Sequence, residues 1–563
     1  MDFKKEVANK ISQLVDMEQE KIMELIEIPP QSNMGDYAFP CFQLAKTMRK
    51  APNMIAADLA GKFTTDEVVG KVEAAGGYLN FFVNRGEFIK TVLTEVLEKG
   101  KDFGKSTIGN GKTVLVEFSS PNIAKPFHIG HLVTTLTGSA IEKIYRHLGY
   151  DTQRLNHIGD YGTNFGKQIA AYKHWGDAEA LEKEPINELL RVYIKFHEEV
   201  ENNPALEDEA RLNFKKLEDG DPEMVSLWQK FRDLSIVEFK KLYKEFNIEF
   251  DSYNGESFYT DKMGEVVDML RDKGLLTESN GAQIVDLEKF GMPPCLILKS
   301  DGATIYATRD LAAGLYRYRT YNFHKCLYVV GNTQALHFKQ VFTVLKLMGF
   351  DWSDDMSFVG TALVKFADRK LATRSGDIIY AKEVLNEAAE KTLEIIETKN
   401  SGLANKAEVA KKVGMGAVAY TILKNNKDKN IIFSWEDILS FEGESGPYVQ
   451  YTCVRGRSVL RKAGEVPETA DYSKLVTDEE FTLVKLLDGF KAALKEAADR
   501  YEPFVITRQV TEIAKAYNKF YNSHPIMNAE PELKAARLLL TKSVCNVIET
   551  GLGMIGIEVP ENM

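Results

Sequence analysis

The sequence lacks the features that would mark a secreted, membrane-spanning or zinc-binding protein. Its five cysteines are scattered and form no Cys-x-x-Cys pair, which favours buried reduced thiols over disulfides or a zinc site. It has no run of about 18 apolar residues, so no membrane-spanning helix is predicted. Its first residues lead into an amphipathic helix and lack the apolar stretch of a signal peptide. We therefore expect a cytoplasmic protein that has no membrane partner and no metal ion of its own.

An excess of positive charge is also missing. The chain has 71 Lys and Arg residues against 82 Asp and Glu residues, a net charge of −11. This balance argues against a protein dominated by non-specific attraction to nucleic acid, so any such binding must be regional. The 563 residues suit several domains, at roughly 100–200 residues each.

The pattern of apolar residues predicts three domains. Residues 1–105 resemble a small N-terminal α/β domain. Strands and helices alternate over residues 112–385, which predicts a doubly wound, Rossmann-like parallel sheet, and a charged, helix-favouring stretch at about 172–250 reads as a helical insertion. Residues 406–563 keep helical spacing with almost no strand signal, which predicts an all-helical bundle.

The most informative segment runs from Ser119 to His131 and ends in His-x-Gly-His. It follows a predicted strand, Thr113–Phe118, and precedes a helix predicted from Leu132 to Gly149. Such a loop lies at the carboxyl edge of a sheet, where free N–H groups and the helix dipole favour phosphate. This position predicts a nucleotide-binding turn.

Two histidines make the segment chemically specific. His128 and His131 are three residues apart on the predicted first helical turn, so both rings can donate hydrogen bonds to one phosphate group. Gly130 between them leaves room for an adenine or a ribose to approach the backbone. By themselves these residues support adenylyl transfer.

With these residues the chain resembles the class I arginyl-tRNA synthetases, over nearly all of its length. The resemblance implies that arginine and ATP, with Mg²⁺, form arginyl-adenylate, and that arginine then passes to the 3′ end of tRNA(Arg) with release of AMP and pyrophosphate. It also implies that tRNA is needed for activation, and we expect a monomer. The matching blocks are Glu117 to Leu132, Asn156 to Gly166, Ser300 to Asp310 and Ser440 to Tyr451.

The resemblance implies catalytic roles in phosphate binding for Lys125, His128, His131, Lys370 and Arg374. Lys370 opens a degenerate Lys-Met-Ser-Lys-Ser signature whose second lysine is replaced by Thr373. Lys125 is expected to compensate for this loss. The residues expected to bind ATP are Lys125, His128, Gly130, His131, Gly331 and Lys370.

For arginine, the resemblance implies that Tyr306 and Asp310 meet the guanidinium, with Glu117 nearby. Asn122 and Gln334 are expected at the α-amino end. A carboxylate suits this substrate because it accepts paired hydrogen bonds from a planar, always-charged group. The alternative for Asp310 is a helix cap or a salt bridge to Arg309 or Arg317, and His337 and His157 are equally consistent with core positions.

For tRNA, the resemblance implies that Tyr78 and Asn80 of the N-terminal domain contact the elbow, although a core position for Tyr78, Phe81 and Phe82 is a serious alternative. The helical C-terminal part resembles an anticodon-binding domain. Tyr451, Tyr517 and Tyr521 suit either base stacking or packing within the bundle, and basic stretches such as Arg455 to Lys462 suit a backbone track.

Three other functions stay open. A different class I synthetase or a related nucleotidyltransferase would share the histidine segment, although a small transferase would not need the helical tail. A cysteine-specific relative is disfavoured because clustered zinc ligands are absent from the sequence, and a glutamate-specific one because the pocket candidates are acidic. A non-catalytic RNA-binding paralogue would explain the degenerate second signature.

Overall fold

The computed structural model describes residues 2–366 and 379–563, and the predicted sites Lys370 and Arg374 lie outside them. The chain divides into two compact units. The first comprises Met1–Phe103, Arg455–Gly489 and Glu512–Ile548, and the second comprises Gly104–Val454, Phe490–Thr511 and Glu549–Met563. In the described part, no helix combines the length and the apolar character needed to cross a membrane.

The N-terminal residues fold around a three-stranded antiparallel sheet of order β1-β3-β2. Phe39, Leu79 and Phe81 are fully buried against its helices. The elements are α1 (Phe3–Ser12), α2 (Gln19–Leu25), β1 (Tyr37–Pro40), α3 (Ala45–Met48), α4 (Pro52–Ala60), β2 (Val69–Ala75), β3 (Tyr78–Val83) and α5 (Arg85–Lys99).

The second unit is built on a parallel sheet and a run of helices inserted after its second strand. Its first elements are β4 (Thr113–Glu117), α6 (Ile129–His147), β5 (Asp151–Leu155), α7 (Asn164–Trp175), α8 (Ala178–Lys183), α9 (Pro185–Val200), α10 (Ala205–Glu218) and α11 (Pro222–Glu245). The inserted helices share a small core that includes Val192, Phe196 and Ala210.

The chain then returns to the sheet. The next elements are α12 (Met263–Asp272), β6 (Leu276–Ser279), β7 (Ala282–Val285), β8 (Cys295–Leu298), α13 (Tyr306–Tyr321), β9 (Lys325–Gly331), α14 (Ala335–Leu347), β10 (Met356–Thr361) and β11 (Val364–Phe366). Leu115 and Cys326 of the sheet pack with Leu311 and Val344 in a continuous apolar core.

Helices dominate the rest of the chain. They are α15 (Ala381–Lys399), α16 (Lys406–Leu423), α17 (Trp435–Ile438), α18 (Gly446–Ala463), α19 (Asp478–Arg500), α20 (Phe504–Ser523) and α21 (Pro531–Met554), with one short strand, β12 (Ile431–Phe433).

The order of the parallel strands fixes the position of the site. The described sheet runs β10-β9-β4-β5, with Val114 paired to both Thr152 and Lys325. The chain leaves β4 for β5 on one side and later returns to β9 on the other side. This reversal makes a topological switch point between β4 and β9, and ligands of such sheets bind outside the carboxyl ends of the strands at that point.

The predicted fold class is confirmed, and three details differ. The sequence did not predict the antiparallel sheet β6-β7-β8 within the α/β region, nor the parallel pairing of β12 with β11. Helix α6 begins at Ile129, three residues before the predicted start at Leu132, because His128 caps it. All five cysteines are buried and free, in agreement with the prediction.

Candidate active site

The signature loop, residues 118–128, joins β4 to α6 and has an unusual backbone. Ser119, Ser120 and Ala124 have φ angles of 71°, 47° and 59°. This left-handed conformation costs a non-glycine residue roughly 1–2 kcal/mol. Two backbone hydrogen bonds to Gly159, of 3.0 and 3.1 Å, fix the middle of the loop. Such strain persists only where the surrounding fold holds it, and it is common at functional sites.

Two of the predicted site residues, Asn122 and Lys125, lie in this loop. Asn122 is exposed and its side chain covers Gly159, where a Cβ would collide with the Asn122 Oδ1. Lys125 is half-buried, and its Nζ lies 5.6 Å from the centre of the Tyr193 ring. Within residues 2–366 and 379–563, no carboxylate pairs with Lys125. Its ammonium group can therefore serve an anionic ligand.

The two histidines stack on each other at the start of α6. Their ring centres are 3.5 Å apart and the rings are inclined by 20°. The Nδ1 of His128 accepts a hydrogen bond from the backbone N–H of His131, and the reverse bond is also made, both at 3.3 Å. His128 is thus the N-cap of the helix, and both residues lie just before or within its first turn.

This capping arrangement decides which ring nitrogen faces a ligand. Burial lowers the pKa of His128, and burial with the nearby His128 ring lowers the pKa of His131 well below its ordinary value. Both rings are therefore neutral near pH 7, and because each Nδ1 accepts a bond, the proton is on Nε2. Each Nε2–H can donate to a phosphate oxygen. The His128 ring lies 3.0 Å from where a Cβ at Gly130 would be, so the space beside this glycine is partly occupied by the histidine.

The signature loop also pairs with the chain that follows residue 378. The backbone N–H of Ile129 donates to the carbonyl of Ile379 at 3.0 Å, and that of Ala381 donates to Phe127 at 2.9 Å. Ile379 and Ala381 are thereby joined to the histidine turn.

Asp310 and Tyr306 lie on α13, whose regular turns put residues four apart on one face, as predicted. The carboxylate of Asp310 is one-fifth exposed and lies 2.5 Å from the Nε2 of His337. Burial raises the pKa of Asp310. The hydrogen bond from His337 and nearby positive charge together lower it by more than burial raises it, so the pKa of Asp310 lies below its usual range. Asp310 is therefore ionised at neutral pH, and Tyr306 beside it is 65% exposed.

Glu117 does not share this exposure. It is 4% exposed at the end of β4 and forms an ion pair with Arg317, which is 1% exposed. Burial opposes the charge on Arg317, but Glu117 and other neighbours raise its pKa well above the ordinary value. The carboxylate of Glu117 is thus already paired with the guanidinium of Arg317, and its place near a substrate guanidinium stays a prediction. For Asp310, the suggested salt bridges to Arg309 and Arg317 are replaced by the bond to His337.

The remaining predicted residues lie on the other side of the switch point. Gly331 is the last residue of β9, and Gln334 is exposed in the 3₁₀ turn that precedes α14. His337 follows one turn later and reaches back to Asp310. The carboxyl ends of β4 and β9 therefore bring together segments that are more than two hundred residues apart in the chain.

Sequence reasoning missed a charged group next to Asp310. Glu256 is half-buried and lies 3.2 Å from the guanidinium of Arg309, whose carbon is 5.3 Å from the centre of the Tyr161 ring. Burial, with smaller contributions from Asp310 and Asp160, raises the pKa of Glu256 to about 7 despite the opposing charge of Arg309. No local motif distinguishes Glu256 from surface glutamates, so only the fold could reveal it.

We expect the Glu256→Gln variant to lose part of the pH dependence of stability. The native pKa of about 7 exceeds the ordinary value of 4.5, so the native state binds more protons than the unfolded state between these pH values. The free energy of unfolding of the wild type should then fall by up to about 3 kcal/mol as pH rises through this range. Urea unfolding at pH 5 and pH 8 measures this fall.

The glutamine variant should show a smaller fall, because its side chain cannot ionise. The exposed Glu179→Gln variant, which removes a surface pair with Lys183, serves as the control and should keep the wild-type difference. An equal fall in the free energy of unfolding of the wild type and of Glu256→Gln would show that Glu256 does not have the raised pKa.

Comparison with known proteins identifies the family. The model of the class I (R) tRNA synthetase catalytic domain matches residues 92–435. The chain belongs to the class I arginyl-tRNA synthetases. It is accordingly an ATP-dependent ligase that joins arginine to tRNA.

Relatives that match over the full length of the chain are arginine–tRNA ligases. The chain is 57% identical to an arginine–tRNA ligase of Clostridium botulinum (strain Okra / Type B1) over 564 residues, and 56% identical to one of Clostridium perfringens (strain 13 / Type A) over 566 residues, with both chains covered completely in each case. Among solved structures, the arginyl-tRNA synthetase of Thermus thermophilus is similar with a TM-score of 0.82 and 27% identity, covering 96% of each chain.

Two further family models match the two ends of the chain. The arginyl-tRNA synthetase N-terminal domain model matches residues 1–83, and the DALR anticodon-binding domain model matches residues 449–563. Tyr78 is half-buried, 5.4 Å from the exposed Phe42 ring, whereas Asn80 is only 6% exposed. Tyr78 is therefore better placed than Asn80 to meet a ligand.

The three tyrosines suggested for base stacking differ in exposure. Tyr517 is fully buried, and its burial raises its pKa, so it packs in the core. Tyr451 and Tyr521 are each more than one-third exposed. The guanidinium of Arg455 lies 5.2 Å from the centre of the Tyr521 ring. A stacking role thus fits Tyr451 and Tyr521 and does not fit Tyr517.

Proposed function

We propose that arginine and ATP meet at the switch point between β4 and β9, and that the residues predicted there carry out the activation step. The observation that supports this most strongly is the pairing of a free Lys125 and two neutral, stacked histidines at one strand end with an ionised, partly exposed Asp310 near the other. One group suits phosphate and the other suits a guanidinium.

In the proposed activation step, a carboxylate oxygen of arginine attacks the α-phosphorus of ATP. A bond forms between these two atoms, the bond to pyrophosphate breaks, and arginyl-adenylate results. Little covalent help is needed, since positioning and neutralisation of the developing charge lower the barrier. Lys125 supplies a positive charge, and His128 and His131 donate hydrogen bonds from Nε2. We propose that Gly130 and Gly331 allow the nucleotide to approach the backbone.

For selection of arginine, we propose that Asp310 accepts hydrogen bonds from the guanidinium beside Tyr306. The bond from His337 holds the Asp310 carboxylate in place. Citrulline, which is neutral, and lysine, which lacks the planar fork, would both leave the carboxylate poorly matched. The exposed amides of Asn122 and Gln334 are proposed to bind the α-amino end. Glu117, which is paired with Arg317, is proposed to lie near the guanidinium of the substrate.

In the proposed transfer step, a hydroxyl of the terminal ribose of tRNA(Arg) attacks the activated carbonyl, and AMP leaves. The N-terminal domain, with Tyr78 and Asn80, is proposed to contact the tRNA elbow, and the C-terminal helices to contact the anticodon. We propose domains at 1–105, 112–385 with an insertion at 172–250, and 406–563, which the matched family regions support.

Several finer points belong to the same proposal. Mg²⁺ is proposed to enter with ATP, bound mainly by phosphate oxygens, since the described residues contain no group of three or more His, Cys, Asp or Glu placed to hold an ion. Lys370 and Arg374 are proposed to act on the same phosphates. We propose that the enzyme works in the cytoplasm as a monomer.

Exchange of labelled pyrophosphate into ATP tests the proposed function. Each of the twenty amino acids is supplied separately, with and without total tRNA. We expect exchange with arginine when tRNA is present and background exchange with the other nineteen. Exchange driven by another amino acid would point to a different class I synthetase. No exchange with arginine and tRNA would favour the non-catalytic paralogue.

A further inference from the structure

The signature loop is held from behind by α11, the last inserted helix. Ser235 on this helix is fully buried. Its Oγ accepts a hydrogen bond of 3.0 Å from the backbone N–H of Ala124 and donates one of 2.7 Å to the carbonyl of Phe231. One side chain of the insertion therefore fixes the peptide that joins Ile123 to Ala124, the residue before Lys125.

A second residue of α11 reaches the start of the loop. Tyr243 is 1% exposed, and its hydroxyl lies 2.8 Å from the Oγ of Ser119. The amide of Asn156 donates to the same hydroxyl at 3.0 Å. The hydroxyl of Thr135, on α6, lies 2.8 Å from the Ser119 Oγ on the other side. The start of the loop is thus enclosed by a buried chain of hydroxyl groups.

The two contacts fall on strained positions. Ser119 and Ala124 are both left-handed, with φ angles of 71° and 59°, and neither is a glycine. A non-glycine residue keeps this conformation only where neighbouring groups hold it. The loop residues between these two positions carry Asn122, and Lys125 follows directly. Release of either contact would let the backbone before Lys125 relax and move its ammonium group, while the two hydrogen bonds to Gly159 still hold the backbone on both sides of Asn122.

We propose that Ser235 and Tyr243 are positioning residues of the activation step, which hold the signature loop in its strained form and so place the ammonium group of Lys125 at the reacting phosphate. The proposal rests on the proposed function of Lys125. Neither residue touches substrate. Their effect reaches the reaction through the backbone of Ser119 and Ala124, and it makes the helical insertion part of the catalytic apparatus.

A double-mutant cycle in the full-length enzyme tests this inference. Arginine-dependent pyrophosphate exchange is measured with tRNA for Ser235→Ala and Tyr243→Phe, each with and without Lys125→Ala. Lys125→Ala alone should lower kcat about 100-fold, the usual effect of losing one charge-stabilising donor. Each α11 variant alone should lower kcat about tenfold with little change in the KM for arginine, because a displaced lysine stabilises the transition state less well.

The combined variants distinguish positioning from general damage. A lysine that is absent cannot be misplaced, so Ser235→Ala with Lys125→Ala should be no slower than Lys125→Ala alone. Ser543→Ala is the matched control, since this buried serine also donates to the carbonyl four residues before it and lies on α21. Tyr145→Phe is the control for Tyr243→Phe, because the buried Tyr145 hydroxyl donates to Ala498. Both controls should keep wild-type kcat.

Three outcomes would overturn the inference. The first is full kcat in both α11 variants. The second is a combined variant whose kcat falls by the product of the two single effects, which would show that the α11 residue acts independently of Lys125. In either case Lys125→Ala alone would still be slow, so the proposed function would stand. The third is full activity of Lys125→Ala, which would remove the proposed role of Lys125 together with the inference. Thermal unfolding of each variant confirms that kcat is measured on folded protein, and the two α11 variants test the loop independently.

Discussion

Asp310→Asn is expected to lower kcat/KM for arginine about a thousandfold while leaving the fold intact. The carboxylate of Asp310 is ionised, partly exposed and held by His337, so it offers a fixed negative charge to a guanidinium. An asparagine has nearly the same shape and can still bond to His337, but it has no charge and presents an N–H₂ group to a substrate that only donates. A site built to hydrogen-bond a substrate rejects an analogue that lacks the bonding group by about 10⁴-fold or more, and loss of the partner from the enzyme side should cost about a thousandfold.

Steady-state pyrophosphate exchange over a range of arginine concentrations measures the effect. The KM for ATP should change little, because the phosphate-binding residues are untouched. Asp268→Asn is the control, since Asp268 forms an exposed pair with Arg271 on α12 and should keep wild-type kinetics. Wild-type kcat/KM for arginine in Asp310→Asn would exclude Asp310 from substrate binding.

Glu117→Gln is expected to lower the free energy of unfolding by about 3–5 kcal/mol, the usual cost of removing one partner of a buried ion pair. Arg317 would then keep a buried positive charge that forms no ion pair with the described residues. Its Nε and Nη1 already have no hydrogen-bond partner among the described residues. Its remaining neighbours are chiefly aromatic, with the Tyr328 ring centre 5.1 Å from the guanidinium carbon, and a ring stabilises a cation less than a carboxylate does.

Urea unfolding at pH 7 measures this loss, with Glu265→Gln as the control because Glu265 forms an exposed pair with Arg319. Replacing both partners, as Glu117→Gln with Arg317→Met, should recover much of the stability, since no buried charge is then left alone. The KM for arginine, measured by pyrophosphate exchange, separates a structural role of Glu117 from a substrate-binding role. Unchanged stability with a raised KM for arginine would favour direct binding of substrate by Glu117, as the sequence resemblance implied.

The elements that the sequence predicted well are those with a strong local pattern. The β-branched run of β4, the regular apolar stripe of α6 and the loop between them were all visible without a structure. The start of α6 was placed too late because its N-terminus is capped by His128, and a histidine cap leaves no trace in apolar periodicity. The buried position of Asn80 was missed because a short strand with several aromatic residues does not reveal which face is covered.

The parts that could not be predicted depend on contacts between distant residues. Glu256 lies near Asp310 only because the chain returns to the sheet after the insertion. The contact of Ser235 with Ala124 joins residues 111 positions apart, and nothing in either local sequence indicates it. The pairing of Glu117 with Arg317 likewise joins residues far apart in the chain, and no local pattern indicates it.

The order of the strands has a consequence for how the protein folds. Strand β4 forms its second set of backbone hydrogen bonds only with β9, which is made after the whole helical insertion and the antiparallel sheet have emerged. Pairing at such sequence separation requires closure of a long loop, so it is slow compared with helix formation. During synthesis, one edge of β4 therefore has no strand partner until β9 has been made. An unpaired apolar strand edge of this kind promotes aggregation of the nascent chain.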